Sequence, residues 1–164
     1  IGSLKEELST DTVVIADLVT KKTYEDTFGL RTWYKFKIRE TLVQHDPPRH
    51  FADQFQSGPS DMLPIAEDEF LIEELNGQMV IDGVTVTQHS NGAKYLEGQT
   101  YLLFLWLDPT TRTAIRSATD PLGVFLVDSN GNLSAYIDRP YPFKTALAKR
   151  FNNSINDLRR YLKK

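Results

Sequence analysis

The chain opens its regular pattern at Val13-Val14-Ile15-Ala16-Asp17-Leu18-Val19, a β-branched run bounded by Ser, Thr and Asp before it and Lys-Lys-Thr after it, which predicts a strand. From Trp33 to Glu40 the residues alternate, with Tyr34, Phe36 and Ile38 on one face and Lys35, Lys37 and Arg39 on the other. A period of two describes a half-exposed strand. Phe70 to Leu75 and Gln78 to Thr87 read as shorter strands, punctuated by Asn76-Gly77 and Asp82-Gly83, pairs that suit tight hairpin turns because both residues tolerate positive φ. Tyr101 to Leu107 is apolar on both faces and limited to strand length by Gly98 before it and Asp108-Pro109 after it, so it is expected in the centre of a sheet. Arg112 to Ala118 is expected to pair back on it. Gly123 to Val127 leads through Asp128-Ser129-Asn130-Gly131-Asn132 into Leu133 to Ile137, which predicts a hairpin with an Asn-Gly tip.

The period changes at both ends. Leu147, Phe151, Ile155, Leu158 and Leu162 are spaced 4, 4, 3 and 4, one apolar stripe on an α-helix that follows the breakers Pro140 and Pro142. Near the N-terminus, Ser3-Leu4-Lys5-Glu6 has the spacing of a capping box, with Leu4 and Leu8 on one face of a short helix. Residues 44–69 carry Pro47, Pro48, Pro59 and Pro64 with Gly58 and read as a long excursion, of the kind that marks a functional loop or an insertion. With no repeat, linker or low-complexity stretch, residues 1–164 are expected to form a single mainly β domain, a small barrel closed by a C-terminal amphipathic helix.

Composition adds exclusions. At 164 residues the chain can bury a core without metal or disulfide support. It has no cysteine, which rules out thiolate nucleophiles, iron-sulfur clusters and cysteine-ligated zinc. Its longest apolar run is too short to cross a bilayer as a helix. Ile1-Gly2-Ser3 begins without Met, so a processed or trimmed end is expected, and a signal peptide removed before it would leave no trace. The net charge of three negative is uneven: residues 144–164 hold seven Lys or Arg against Asp157, six positive, so the remainder is nine negative. Asp61, Glu67, Asp68, Glu69, Glu73 and Glu74 occur with no Lys or Arg between them, and this run and the basic helix are expected to attract each other in the fold or to be solvated.

Candidate chemistry is sparse, and no cofactor signature is present. Trp33 with Lys35, Lys37 and Arg39 resembles a stacking ring beside a basic stripe, the arrangement of single-strand nucleic-acid binders; the competing reading, favoured by the acidic total, is an edge strand guarded by charge, which sets nucleic acid aside as a partner. His45 and His50, with Asp46 between them and His89 elsewhere, are weak metal-ligand candidates at a spacing that matches no established site. Asp128, Asn130 and Asn132 alternate like the start of a calcium loop, but the later Glu is missing and a hairpin turn is expected. Carboxylates such as Glu40 and Glu74 are not singled out by any spacing, and no Ser lies in a Gly-x-Ser-x-Gly turn. Asn132-Leu133-Ser134 and Asn152-Asn153-Ser154 fit the glycosylation pattern, which is frequent by chance.

Ser3 to Val19, Tyr95-Leu96-Glu97-Gly98-Gln99-Thr100-Tyr101-Leu102-Leu103-Phe104-Leu105 and Gly123 to Val127 together resemble uncharacterised exported bacterial domains, over residues 3–137. The resemblance implies an OB-like five-stranded or slightly larger antiparallel barrel, similar in shape to the inhibitory domain of tissue inhibitors of metalloproteinases. The cysteines by which those inhibitors reach the protease metal have no counterpart here, so that activity does not carry over. The resemblance also implies a periplasmic or extracellular location, and it supplies no catalytic residue. The expected function is a non-enzymatic binding or interaction module whose partner is a protein or another extracellular ligand; the alternative is a hydrolase or metal enzyme using residues 44–69.

Overall fold

The computed structural model describes residues 10, 12–27, 29–45, 59–89, 92–116 and 123–163. The expected helix around Ser3 to Leu8 lies outside these. The strands, in chain order, are β1 Thr12–Asp26, β2 Gly29–Gln44, β3 Glu69–Glu74, β4 Gly77–Ile81, β5 Val84–Gln88, β6 Thr100–Leu107, β7 Thr113–Arg116, β8 Val124–Val127 and β9 Leu133–Ala135. They are followed by the helices α1 Pro142–Phe151 and α2 Ile155–Leu162. The protein is mainly β, as its pattern of strands predicts.

Seven strands form one mixed sheet in the order β1-β2-β3-β7-β6-β8-β9, and β1 also pairs with β6. Among the described residues all ladders are antiparallel except β3 with β7, where Leu71 faces Thr113 and Ile72 faces Ala114. Three register shifts along β1, between Val13 and Val14, Ile15 and Ala16, and Leu18 and Thr20, bend and twist this strand. That coiling lets β1 serve β2 on one edge and β6 on the other.

β6 is apolar on both faces because both are covered. Tyr101, Leu103, Leu105 and Leu107 join Val14, Ala16, Leu18, Tyr34, Phe36, Phe70, Ile72 and Tyr95 in one core. Leu102 and Phe104 point the other way, into a second core with Val13, Ile15, Phe125 and Val127 and with Phe143, Leu147, Phe151, Ile155 and Leu158 of the helices. In the first core Tyr95 meets Tyr34, Phe36 and Tyr101 edge to face at 5.0, 4.9 and 5.1 Å, a favoured geometry for aromatic pairs.

The apolar stripe from Leu147 to Leu162 is split between two helices, where its spacing predicts one. Asn152 and Asn153 adopt left-handed φ of 52° and 50°, which asparagine tolerates, and Ser154 restarts the helix as an N-cap accepting from the Asp157 amide. The break is held from outside: the Leu133 amide donates to Asn153 O at 2.7 Å and the Ile155 amide to Gly131 O at 2.9 Å. Hydrophobic spacing survives this interruption because both helices face the same sheet.

The turn at Asp82-Gly83 is the predicted two-residue hairpin, with φ of 50° and 79° and Ile81 opposite Val84. Asn76-Gly77 is not a hairpin, since β3 pairs with β2 and β7, and β4 with β5. Gly77, at φ 147°, instead allows a close approach: a Cβ there would lie 2.5 Å from Thr23 Cγ2 and 2.7 Å from Thr32 Oγ1.

Candidate functional site

Of the 44–69 excursion, residues 46–58 lie outside the described residues. The rest is a strap laid over β2 and β3: Met62, at the end of a short 3-10 turn, packs on Trp33 and Leu71 with Tyr24 and Ile65 alongside. Trp33 is only 7% exposed, so its ring offers no stacking platform to a base, and β2, paired with β1 and β3, is not the expected edge strand. The cations beside it are occupied by their own chain. Lys35 Nζ donates to the carbonyls of Met62 and Pro64 at 3.0 and 3.1 Å and lies 3.5 Å from Glu69. Lys37 pairs with Asp68 at 3.7 Å, Arg39 with Asp17 at 2.5 Å, Arg31 with Glu73 at 2.7 Å and Lys22 with Asp61 at 3.6 Å. The acidic run is thus matched largely by β1 and β2, not by the C-terminal helices. The Tyr24 hydroxyl donates to Asp61; burial first, and that bond second, push the phenol up to about 12, while the bond holds the Asp61 carboxyl below its ordinary range.

His45 stands exposed at the end of β2, His89 is exposed beyond β5, and His50 lies outside the described residues. Among the described residues no group of three His, Asp or Glu is placed to hold a metal ion. Glu40 lies opposite Ile15, and Glu74 opposite Thr32. Eight strand residues therefore separate the β2 positions where they act, roughly 25 Å, too far for a paired-carboxylate mechanism. Asp128 is a turn former: it accepts from the Asn130 and Asn132 amides at 2.9 and 2.8 Å, and these bonds, that from Asn132 foremost, lower its pKa.

A cleft of about 800 Å³ opens where the ends of β1 and β2, the turn at Gly98, the Asp128 turn and α2 meet. Its carboxylates are committed. Both oxygens of Glu40 accept from Arg159, at 2.7 and 2.6 Å, and Arg159 also donates to Asn156 at 2.5 Å. Two further lining residues are held by Asp17, outside the lining: Arg39 and, at 2.5 Å, Thr100 Oγ1 both donate to it. These bonds tie α2 to β2 and β1 to β6, a framing role for the charges of the cleft.

The β4–β5 hairpin is the surface that pattern reading overlooked. It stands apart from the seven-stranded sheet and is anchored at its root, where buried Asn76 accepts from the Tyr34 hydroxyl at 3.0 Å, donates to Ala93 O at 3.2 Å and accepts through its own carbonyl from Thr32 at 2.7 Å. Across the root, the Leu30 amide donates to Gln88 Oε1 at 2.6 Å. Beyond the root, Val80, Val84 and Val86 are 69%, 62% and 38% exposed. Register places Met79 opposite Val86 and Ile81 opposite Val84, which gathers four apolar side chains on one face. Asp82 is the only charged residue from Gly77 to Gln88, and among the described residues no ladder joins the outer edge of either strand. The sequence signal was the missing guard: strands left open to solvent usually carry Lys, Glu or Pro.

Against protein-family models and against curated proteins, the chain has no match.

Proposed function

We propose that this chain is a non-enzymatic interaction module, exported from a bacterial cell, that takes up an extended polypeptide segment along the outer edge of the β4–β5 hairpin. The observation that carries the reading is that hairpin: an unguarded two-stranded ribbon with exposed valines, held at its root by a buried hydrogen-bond network. Addition of a strand supplies main-chain hydrogen bonds for affinity and alternate side-chain contacts for selectivity. The apolar face of the ribbon favours a partner segment with β-branched or aromatic residues at alternate positions.

The fold assigned to the module is the OB-like barrel. Its support is the path of ladders, which runs from β1 through β2, β3, β7 and β6 and returns to β1. The export assignment and the kinship with OB-like bacterial domains rest on the sequence resemblance alone.

The test is selection of a displayed random-peptide library on the folded protein, followed by amide exchange of the complex. Selected peptides are expected to slow exchange within β5, and Val84→Lys with Val86→Lys to remove their binding. Peptides that instead protect the strands around the 800 Å³ cleft, or a selection no richer than a blank support, would overturn the assignment.

A further inference from the structure

The C-terminal stretch carries six net positive charges, and the structure shows which of them are spent. Arg159 is clamped to Glu40, Arg160 lies 2.5 Å from Asp157, and Lys144 lies 3.3 Å from Asp138. Lys149, Arg150 and Lys163 make no ion pair among the described residues, and all three are exposed. Arg150 lies over the rings of Tyr161 and Phe151, 5.1 and 5.5 Å from their centres, and Tyr161 is 39% exposed. A shallow groove of about 350 Å³ runs between Arg150, Phe151, Asp157, Arg160 and Tyr161. The apolar sides of both helices are consumed by the second core, so what they turn outward at this corner is cationic and aromatic.

We infer that this α1–α2 corner docks the protein on an anionic phospholipid surface. Three features point to a lipid surface. The unpaired cations sit in the last turn of α1 and at the C-terminal cap of α2, two helix ends brought together where Arg150 lies over Tyr161. A half-exposed tyrosine beside them suits the headgroup layer, where an amphipathic ring keeps its hydroxyl wet. The rest of the chain is nine negative, with its acidic run engaged at the strap over β2 and β3 while the helices cover β1, β6 and β8. Such a charge dipole presents one corner to a negative plane and turns the acidic part away. A nucleic-acid strand would ask for a cationic groove with several open rings along it, and this corner offers one. Among the described residues no apolar helix face remains for insertion, so the contact is peripheral and governed by charge.

The experiment is sedimentation of the intact chain with phosphatidylcholine vesicles, with and without phosphatidylglycerol, at low and high salt. Binding is expected only to the vesicles with phosphatidylglycerol, and high salt should release it. Lys149→Ala and Lys163→Ala should each weaken partitioning about fivefold, the effect of one basic residue near such a surface. The triple change Lys149→Ala, Arg150→Ala and Lys163→Ala should abolish binding while the circular dichroism spectrum stays that of the parent. Absence of binding to phosphatidylglycerol at low salt, a folded triple variant that binds as the parent does, or tighter binding to a single-stranded oligonucleotide than to the vesicles would each overturn the inference.

Discussion

Replacing Asn76 by Ala tests whether one buried amide holds the interaction hairpin to the core. In the parent the Asn76 side chain accepts from the Tyr34 hydroxyl at 3.0 Å and donates to Ala93 O at 3.2 Å, with Tyr34, Asn76 and Ala93 all buried. Burial first, and the nearby Glu74 carboxylate second, lift the Tyr34 hydroxyl to about 12, the mark of a phenol that stays neutral and donates. Asn76→Ala leaves a donor and an acceptor without this partner, each at about 1–3 kcal/mol, so a loss of about 2–6 kcal/mol is expected. Tyr34→Phe should cost less, about 1–2 kcal/mol, because it deletes the donor and strands only one acceptor. The double variant should fall short of the sum by about 1 kcal/mol, the coupling expected of residues in direct contact. Urea unfolding of the parent, both single variants and the double variant measures all of this. Amide exchange adds a positional readout, since β4 and β5 should open sooner than β6 in Asn76→Ala. A loss under about 0.5 kcal/mol, in the range of ordinary surface changes, or a coupling near zero, would refute the reasoning.

Three further outcomes follow from named contacts. Gly77→Ala is expected to destabilise by about 1–3 kcal/mol, because φ of 147° and the nearby Thr23 and Thr32 leave no room for a Cβ; an unchanged urea midpoint would show that the turn relaxes. Leu147→Ala removes a fully buried side chain from the second core and should cost about 2–5 kcal/mol by thermal or urea unfolding, with α1 losing exchange protection first. Asp61 and Asp128 have folded pKa values below their ordinary ones, so each adds stability above about pH 4 that is lost as pH falls through its folded value; an acid titration of Asp128→Asn should show a shallower loss than the parent in that window.

Much of the fold was legible because its physics is local. β6 announced a two-sided core through an unbroken apolar run, and the Asp82-Gly83 and Asn130-Gly131 turns were readable from residues that accept positive φ. What failed to show was set by distant contacts. Trp33, Lys35, Lys37 and Arg39 look like an open polar face in isolation, yet a strap more than twenty residues downstream buries the indole and gives Lys35 and Lys37 their partners. The break at Asn152 and Asn153 was hidden because the apolar spacing continues through it, and only hydrogen bonds from Leu133 and to Gly131 explain its position. The hairpin valines read as an ordinary strand, since the order of β4 and β5 outside the main sheet is a matter of topology.

The two-sided pairing of β1 also shapes how the chain can be made. Its β2 partner follows at once in the sequence, but its other partner, β6, begins only at Thr100. A chain emerging from its N-terminal side therefore holds a bulged strand with one edge satisfied and one open until more than fifty further residues have been delivered. Closing that distance makes the β1–β6 ladder a slow, non-local step, and until it forms Val13 to Leu18 present a template to any other extended chain. A delay between synthesis of β2 and β6 thus sets the interval in which this protein is most exposed to misassembly.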